Sequence, residues 1–203
     1  AIRRGWGTNR LVLLAGSTHE GDEGPVLESF KGILTAFPQA LLVLVPRHPE
    51  RFGRAAQLAR SAGLSVTSLQ ENAGCPPATQ CFVVDAMGEL LRYYAACDVA
   101  FVGGSLDSIG GHNVLEPAAL AKPVLFGPHT FNFTDITQQL LTAEAALRVT
   151  DATELETAVC RLFADANLRD TMGRAGLSLV REGQGAVQHT LDLIDGLLTR
   201  ATD

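Results

Sequence analysis

The chain predicts an α/β fold, a parallel sheet with helices on both faces, and three observations carry that expectation. Short apolar runs such as Leu41-Leu42-Val43-Leu44-Val45 recur along its 203 residues. They lack the alternation of a half-exposed sheet and read as strands buried on both sides. Between them lie stretches whose apolar residues fall at helical spacing. Strand and helix then alternate over about 150 residues, which makes the strands parallel and puts the helices on the faces. In such a sheet ligands bind beyond the carboxyl ends of the strands, so the exit loops are where function is sought.

In chain order, Leu11-Val12-Leu13-Leu14-Ala15 reads as the first strand, with Gly16-Ser17-Thr18 as its exit turn. His19-Glu20-Gly21-Asp22-Glu23-Gly24-Pro25 follows as a loop whose acids suit the positive end of a helix. Val26, Phe30, Ile33, Leu34 and Phe37 then recur at helical spacing, and Pro38 stops that helix. Residues 41–45 are the second strand, leaving through Pro46-Arg47-His48-Pro49-Glu50-Arg51 into a helix that ends near Ala62 and Gly63. Residues 65–69 and 81–85 read as further strands around a polar surface loop, 70–80, that contains Pro76-Pro77. Ala86-Met87-Gly88-Glu89 leads into a helix over 90–96. Strands over 99–102, 123–127 and 146–149 and a helix over 134–142 complete the alternation. The segment 151–200 reads as helical throughout, with a break near Gly183 and Gly185. The whole chain, 1–203, is expected to be one domain.

The centre of the sequence is Gly103-Gly104-Ser105-Leu106-Asp107-Ser108-Ile109-Gly110-Gly111-His112-Asn113-Val114-Leu115-Glu116-Pro117. It links a buried strand to Ala118-Ala119-Leu120-Ala121, a helical composition. A strand-to-helix link needs about 2–6 residues; this one is longer and rich in glycine, which lets backbone approach a ligand closely. The helix behind it aims free N–H groups at the loop, a place suited to an anion such as phosphate. Asn113 and Glu116 also have the N-x-x-E spacing of a capping box, which needs no ligand.

A net charge of −6 argues against a nucleic-acid binder, which needs clustered Lys and Arg. No run of about 18 apolar residues predicts a membrane span, and no signal peptide is visible. The chain begins Ala1-Ile2-Arg3-Arg4 without Met and reads as the C-terminal part of a longer protein. Cys75, Cys81, Cys97 and Cys160 form no C-x-x-C pair and read as reduced thiols. The dinucleotide fingerprint is absent after the first strand and the phosphate-binding G-x-x-x-x-G-K-[ST] is absent altogether.

The run Gly110-Gly111-His112-Asn113-Val114-Leu115-Glu116-Pro117-Ala118-Ala119, followed by Pro123-Val124, Gly127-Pro128-His129 and Asn132-Phe133, resembles the C-terminal domain of the 3-deoxy-D-manno-octulosonic acid (Kdo) transferases. Ala15-Gly16-Ser17-Thr18-His19-Glu20-Gly21-Asp22-Glu23, Pro46-Arg47-His48-Pro49-Glu50-Arg51 and Met87-Gly88-Glu89-Leu90 fit the same family in the same order. The resemblance implies a Rossmann-like half of a two-domain GT-B glycosyltransferase, one that moves Kdo from CMP-Kdo to lipid A precursors in the lipopolysaccharide pathway of Gram-negative bacteria. It implies that the N-terminal domain, absent from this chain, carries the acceptor site, the attachment to the cytoplasmic face of the inner membrane and the acidic catalytic base. This chain alone is then expected to bind CMP weakly and transfer nothing.

On that resemblance the nucleotide-sugar site comprises Ser17, Thr18, Arg47, His48, Met87, Gly88, Glu89, Gly110, Gly111, His112, Asn113 and Glu116. Glu116 would accept the ribose hydroxyls, as acids do in nucleotide folds, and Asn113 would hold phosphate or position Glu116. Arg47 suits phosphate oxygens or a cytosine carbonyl. Ser17 and Thr18 would reach phosphate or the Kdo carboxylate, or else cap a helix. Met87-Gly88-Glu89 would lie along the base, or else start a helix with Met87 as filler. His112 would donate to the phosphate. His129 and Asn132 would meet the sugar or the other domain, His19 and Glu20 would face the other domain, and His189 would be structural. No Asp-x-Asp pair is present, and the resemblance implies a metal-independent reaction without cofactor. The competing readings are another GT-B enzyme using UDP-sugars, a sugar-nucleotide epimerase included, and a nucleotide-binding module without chemistry.

Overall fold

The computed structural model describes residues 2–7 and 9–201, and side chains as far as residue 183. Among these, seven strands form a single parallel sheet in the order β3-β4-β2-β1-β5-β6-β7. The strands are β1 (Val12–Thr18), β2 (Leu41–Pro46), β3 (Val66–Ser68), β4 (Cys81–Val83), β5 (Val99–Val102), β6 (Val124–Phe126) and β7 (Ala146–Arg148). The helices are α1 (Ile2–Trp6), α2 (Glu20–Ala36), α3 (Phe52–Ser61), α4 (Leu90–Ala96), α5 (Leu115–Ala119), α6 (Thr134–Thr142), α7 (Ala152–Ala164) and α8 (Ala166–Ala201).

Alternate strand residues point to opposite faces, and both faces are covered. Leu13, Leu42, Leu44, Val83 and Phe101 pack with Phe30 and Ile33 of α2, Ala55 of α3 and Leu155 of α7. Val12, Leu14, Val43 and Phe82 pack on the other face with Trp6 of α1 and Tyr93 and Tyr94 of α4. Beyond them Val102, Val124 and Phe126 meet Ala118 of α5 and Leu140 of α6.

Three expectations are corrected. The first strand continues through Gly16, Ser17 and Thr18, which were read as a turn, because it pairs with β2 as far as Pro46. Its register shifts between Gly16 and Thr18, and Ser17 takes a left-handed φ of 54° there, a bulge of the kind found beside functional sites. The predicted loop 19–25 is helix from Glu20, with Pro25 inside α2. The helix after the glycine-rich loop opens at Leu115 and, as Pro117 requires, carries that proline in its first turn, where no backbone bond is lost. The C-terminal break falls at Asp165 and not near Gly183 and Gly185. Asp165 Oδ1 accepts the N–H of Leu168 at 2.9 Å and so starts α8, whereas a helical glycine costs only about 1 kcal/mol. His189 lies outside the described side chains.

The sheet order positions the site. From β1 the chain builds outward through β2 on one side and resumes at β5 on the other. The crevice at such a reversal is open to a ligand. There the exit loops of β1 and β5 touch: Gly103 N–H donates to Gly16 O at 2.8 Å. A Cβ at Gly103 would stand 2.5 Å from Ser17 O, so only glycine allows the approach.

Candidate functional site: the crevice at the carboxyl ends of the strands

Two fully buried acids in the first turn of α2 hold the crevice in shape. The Asp22 carboxylate accepts four backbone N–H groups: His19 at 2.9 Å, Gly104 at 2.7 Å, Leu106 at 3.0 Å and Asp107 at 3.2 Å. A carboxylate is an acceptor only, with room for about four donors, so Asp22 saturates itself on the start of α2 and the loop after β5. Glu23 takes Arg51 Nη2 at 2.7 Å and Nε at 3.3 Å, and Thr18 Oγ1 faces it at 3.5 Å. Arg51 ends the turn Pro49–Arg51 after β2, and its guanidinium pKa is raised by the Glu23 hydrogen bond. Thus α2 ties the β5 loop through one acid and the β2 exit through the other.

Above this frame lies a cavity of about 400 Å³ lined by Ser17, Arg47, Met87, Gly88, Leu90, Leu91, His112, Asn113, Glu116 and Phe133, with Val45, Pro46 and Ala86. Met87 and Leu91 are each 54% exposed there, a free apolar wall of the cavity. Met87 is therefore no core filler. Opposite, Asn113 Oδ1 accepts the Leu115 N–H at 3.1 Å and its Nδ2 donates to Glu116 Oε1 at 3.4 Å. This is not a reciprocal capping box, since Asn113 turns its amide to the Glu116 carboxylate and holds it toward the cavity. Burial raises the Glu116 pKa, while the Asn113 hydrogen bond and Arg47 draw it back. A carboxylate so placed gains from hydroxyl donors.

His112 meets His19 with Nε2 to Nε2 at 2.8 Å. The ring planes lie 7° apart with centroids at 5.1 Å, the separation of two coplanar rings joined end to end rather than stacked by their faces. His48 stands edge-on to His19 at 5.3 Å. Burial, then His19 and Arg47, hold the His112 pKa down at about 4. Burial lowers that of His19 as well.

Of the expected site residues, the crevice brings Ser17, Arg47, Met87, Gly88, His112, Asn113 and Glu116 to one cavity. Thr18 is fully buried beneath it, its carbonyl accepting the Arg47 N–H at 3.0 Å. His48 reaches it only through His19, and Glu89 opens α4 paired with Arg92. Gly110 and Gly111 face the loop after β6. Asn132 N–H donates to Gly110 O at 3.1 Å, and a Cβ at Gly110 would sit 2.5 Å from Asn132 Nδ2. Asn132 Nδ2 itself holds Ile109 O at 3.2 Å, His129 is exposed, and Glu20 pairs with Arg51 at 3.2 Å. The reading of sequence missed Asp22, Glu23 and Arg51 as the frame and Leu91 and Phe133 as cavity wall. Among the described residues no group of three His, Cys, Asp or Glu is placed to hold a metal ion. No described helix is long and apolar enough to cross a membrane.

No protein-family model matches the chain. It is 40% identical over 201 residues to a 3-deoxy-D-manno-octulosonic acid transferase of Haemophilus influenzae, covering 98% of this chain and 47% of that protein. It is 39% identical to the transferase of the same name from Bordetella pertussis, covering 94% and 46%. The chain therefore spans about half the length of these curated relatives. Among solved structures it matches the C-terminal CMP-Kdo binding domain of WaaA from Acinetobacter baumannii with a TM-score of 0.84 and 31% identity, over 88% of this chain and 94% of that one. A glycosyltransferase C-terminal domain from Francisella tularensis, at 14% identity and a TM-score of 0.60, shares the fold alone. The parallel sheet and its covering helices are those of the C-terminal Rossmann-like domain of a GT-B glycosyltransferase. Matched along almost its whole length to that binding domain, the chain belongs to the Kdo transferase family as its C-terminal domain.

Proposed function

We propose that this chain is the donor-binding half of a glycosyltransferase that moves Kdo from CMP-Kdo to a lipid A precursor in lipopolysaccharide biosynthesis. The observation that carries the reading is the cavity between the β1 and β5 exits, where Arg47, His112 and the Asn113-held Glu116 face the apolar wall of Met87 and Leu91. Glu116 accepts the ribose hydroxyls and the base lies along Met87 and Leu91. Arg47 meets the phosphate, with the Ser17 hydroxyl beside it.

Cleavage of the bond to CMP puts negative charge on the departing phosphate. A guanidinium and N–H donors fixed beforehand stabilise that charge without reorganisation. These groups need no metal and no cofactor in this reading. The catalytic base, the acceptor site and the attachment to the cytoplasmic face of the inner membrane belong to the other half of the longer protein.

The test is Kdo transfer from CMP-Kdo to a lipid A precursor. The expected result is transfer by the longer protein, loss of about a hundredfold or more in kcat/KM on Arg47→Ala, and none by this chain alone. Transfer by the isolated chain, or use of UDP-sugars with no use of CMP-Kdo by the longer protein, would sink the proposal.

A further inference from the structure

Arg10, two residues ahead of β1, is a buried cation that meets no carboxylate among the described residues. It is 8% exposed. Its Nε donates to Gln39 O at 2.7 Å, and its Nη2 donates to Ala40 O at 3.2 Å and to Thr79 O. Those carbonyls stand just ahead of β2 and β4, so one guanidinium gathers the starts of three neighbouring strands. A guanidinium has five N–H donors. Three are spent on these carbonyls. The two on Nη1 find no acceptor among the described residues, although that atom is buried.

Three carbonyl dipoles do not cancel the charge. Burial lowers the Arg10 pKa, and the one group that draws it back is the Cys75 thiol. Burial raises the Cys75 pKa in turn, so that thiol stays neutral and supplies no counter-charge. A charge held out of water is costly unless it is paired.

Arg10 lines a cavity of about 640 Å³ at the amino edge of the sheet, the edge opposite the crevice. Arg4 and the amides of Asn9, Gln39 and Gln80 line it too, and no Asp or Glu does among the described residues. The Gln80 amide gives its oxygen to the Ser65 N–H at 3.0 Å, which leaves its nitrogen to donate. Two guanidiniums and three amides form a wall that donates hydrogen bonds and attracts negative charge. Water would satisfy Nη1 as a hydrogen-bond donor but leave its charge unmatched. An oxyanion answers both needs, and its oxygens fit the guanidinium fork.

We infer that this cavity is an anion site, which takes a carboxylate or phosphate group on Arg10 with Arg4 beside it. The site is independent of the nucleotide crevice and of the reaction proposed there. The group comes from a small molecule in solution or from an acidic side chain in the part of the longer protein outside this chain.

The single tryptophan of the chain, Trp6, lines the same cavity, so its fluorescence reports this site. Titration of the chain with inorganic phosphate, and separately with acetate, is run at an ionic strength held constant with chloride. The fluorescence should change saturably at about millimolar anion. Arg10→Met should abolish the change, but it also unties the three strand starts. Gln80→Glu leaves those ties in place, retains the Ser65 bond and supplies the anion from within. It should weaken phosphate binding about tenfold or more and raise the unfolding midpoint of the phosphate-free chain. No saturable change with either anion, a change that Gln80→Glu leaves intact, or a midpoint that Gln80→Glu lowers overturns the inference and leaves water as the partner of Nη1. Calorimetric phosphate titration of the longer protein, parent against Gln80→Glu, separates the two sources. A difference between them assigns the site to a free anion, and no difference assigns it to an acid of the protein itself.

Discussion

Asp22→Ala is expected to lower folding stability by about 3 kcal/mol or more and to abolish nucleotide binding. Four backbone N–H groups converge on that carboxylate, and three of them, on Gly104, Leu106 and Asp107, belong to the loop after β5. Each donor left buried without a partner costs about 1–3 kcal/mol, less wherever water enters to take the acceptor's place. The loop leads directly to His112, Asn113 and Glu116, so its release scatters the polar wall of the cavity. Urea unfolding followed by circular dichroism gives the first effect and CMP titration the second. Asp22→Asn should fall between, since its amide keeps one acceptor oxygen and turns a donor toward donors. Stability within about 1 kcal/mol of the parent for Asp22→Ala would mean that the carboxylate does not organise the loop.

Arg51→Met is expected to cost about 3–5 kcal/mol, the penalty for leaving a buried charge without its partner. Glu23 is fully buried and Arg51 supplies two of its hydrogen bonds. The double variant Glu23→Gln, Arg51→Met should recover much of that loss, because a neutral amide tolerates the site where a lone carboxylate does not. The comparison isolates the pair from Glu20, which meets Arg51 from an exposed position and contributes little. A single variant as stable as the parent, or a double variant less stable than the single, would contradict the account of Glu23 and Arg51 as a tie between α2 and the β2 exit.

The sheet was legible because its strands announce themselves. Residues 41–45 and 99–102 are buried on both faces, so no polar residue interrupts them, and α4 and α6 fall at the residues their spacing predicts. Strand ends were less so. Thr18 stays in β1 because pairing with β2 continues past the glycine, and no local feature reports a partner strand. The first turn of α2 was misread for a related reason. Gly21, Gly24 and Pro25 look like breakers, yet the turn is held by tertiary bonds from Asp22 to residues more than eighty positions away. The same distance hid the role of the acids: the sequence marks them as suited to a helix start but not as anchors of other loops.

Within the site, Arg47, Met87, Gly88, His112, Asn113 and Glu116 could be gathered from sequence because each follows a strand, and parallel strands deliver their exits to one edge. The pairing of His19 with His112 could not, since it depends on the inward turn of the β5 loop. Nor could the outward-facing use of Gly110, whose space is filled by Phe131 and Asn132 rather than left for a ligand.

The central claim is that the crevice between β1 and β5 takes CMP with Glu116 on the ribose. Calorimetric titration of this chain with CMP and with UMP, repeated on Glu116→Ala, tests it most directly. The account predicts CMP bound about tenfold or more over UMP, binding lost in Glu116→Ala, and an unfolding midpoint that the substitution leaves in place. No binding of CMP, a preference for UMP, or binding that survives Glu116→Ala would contradict it.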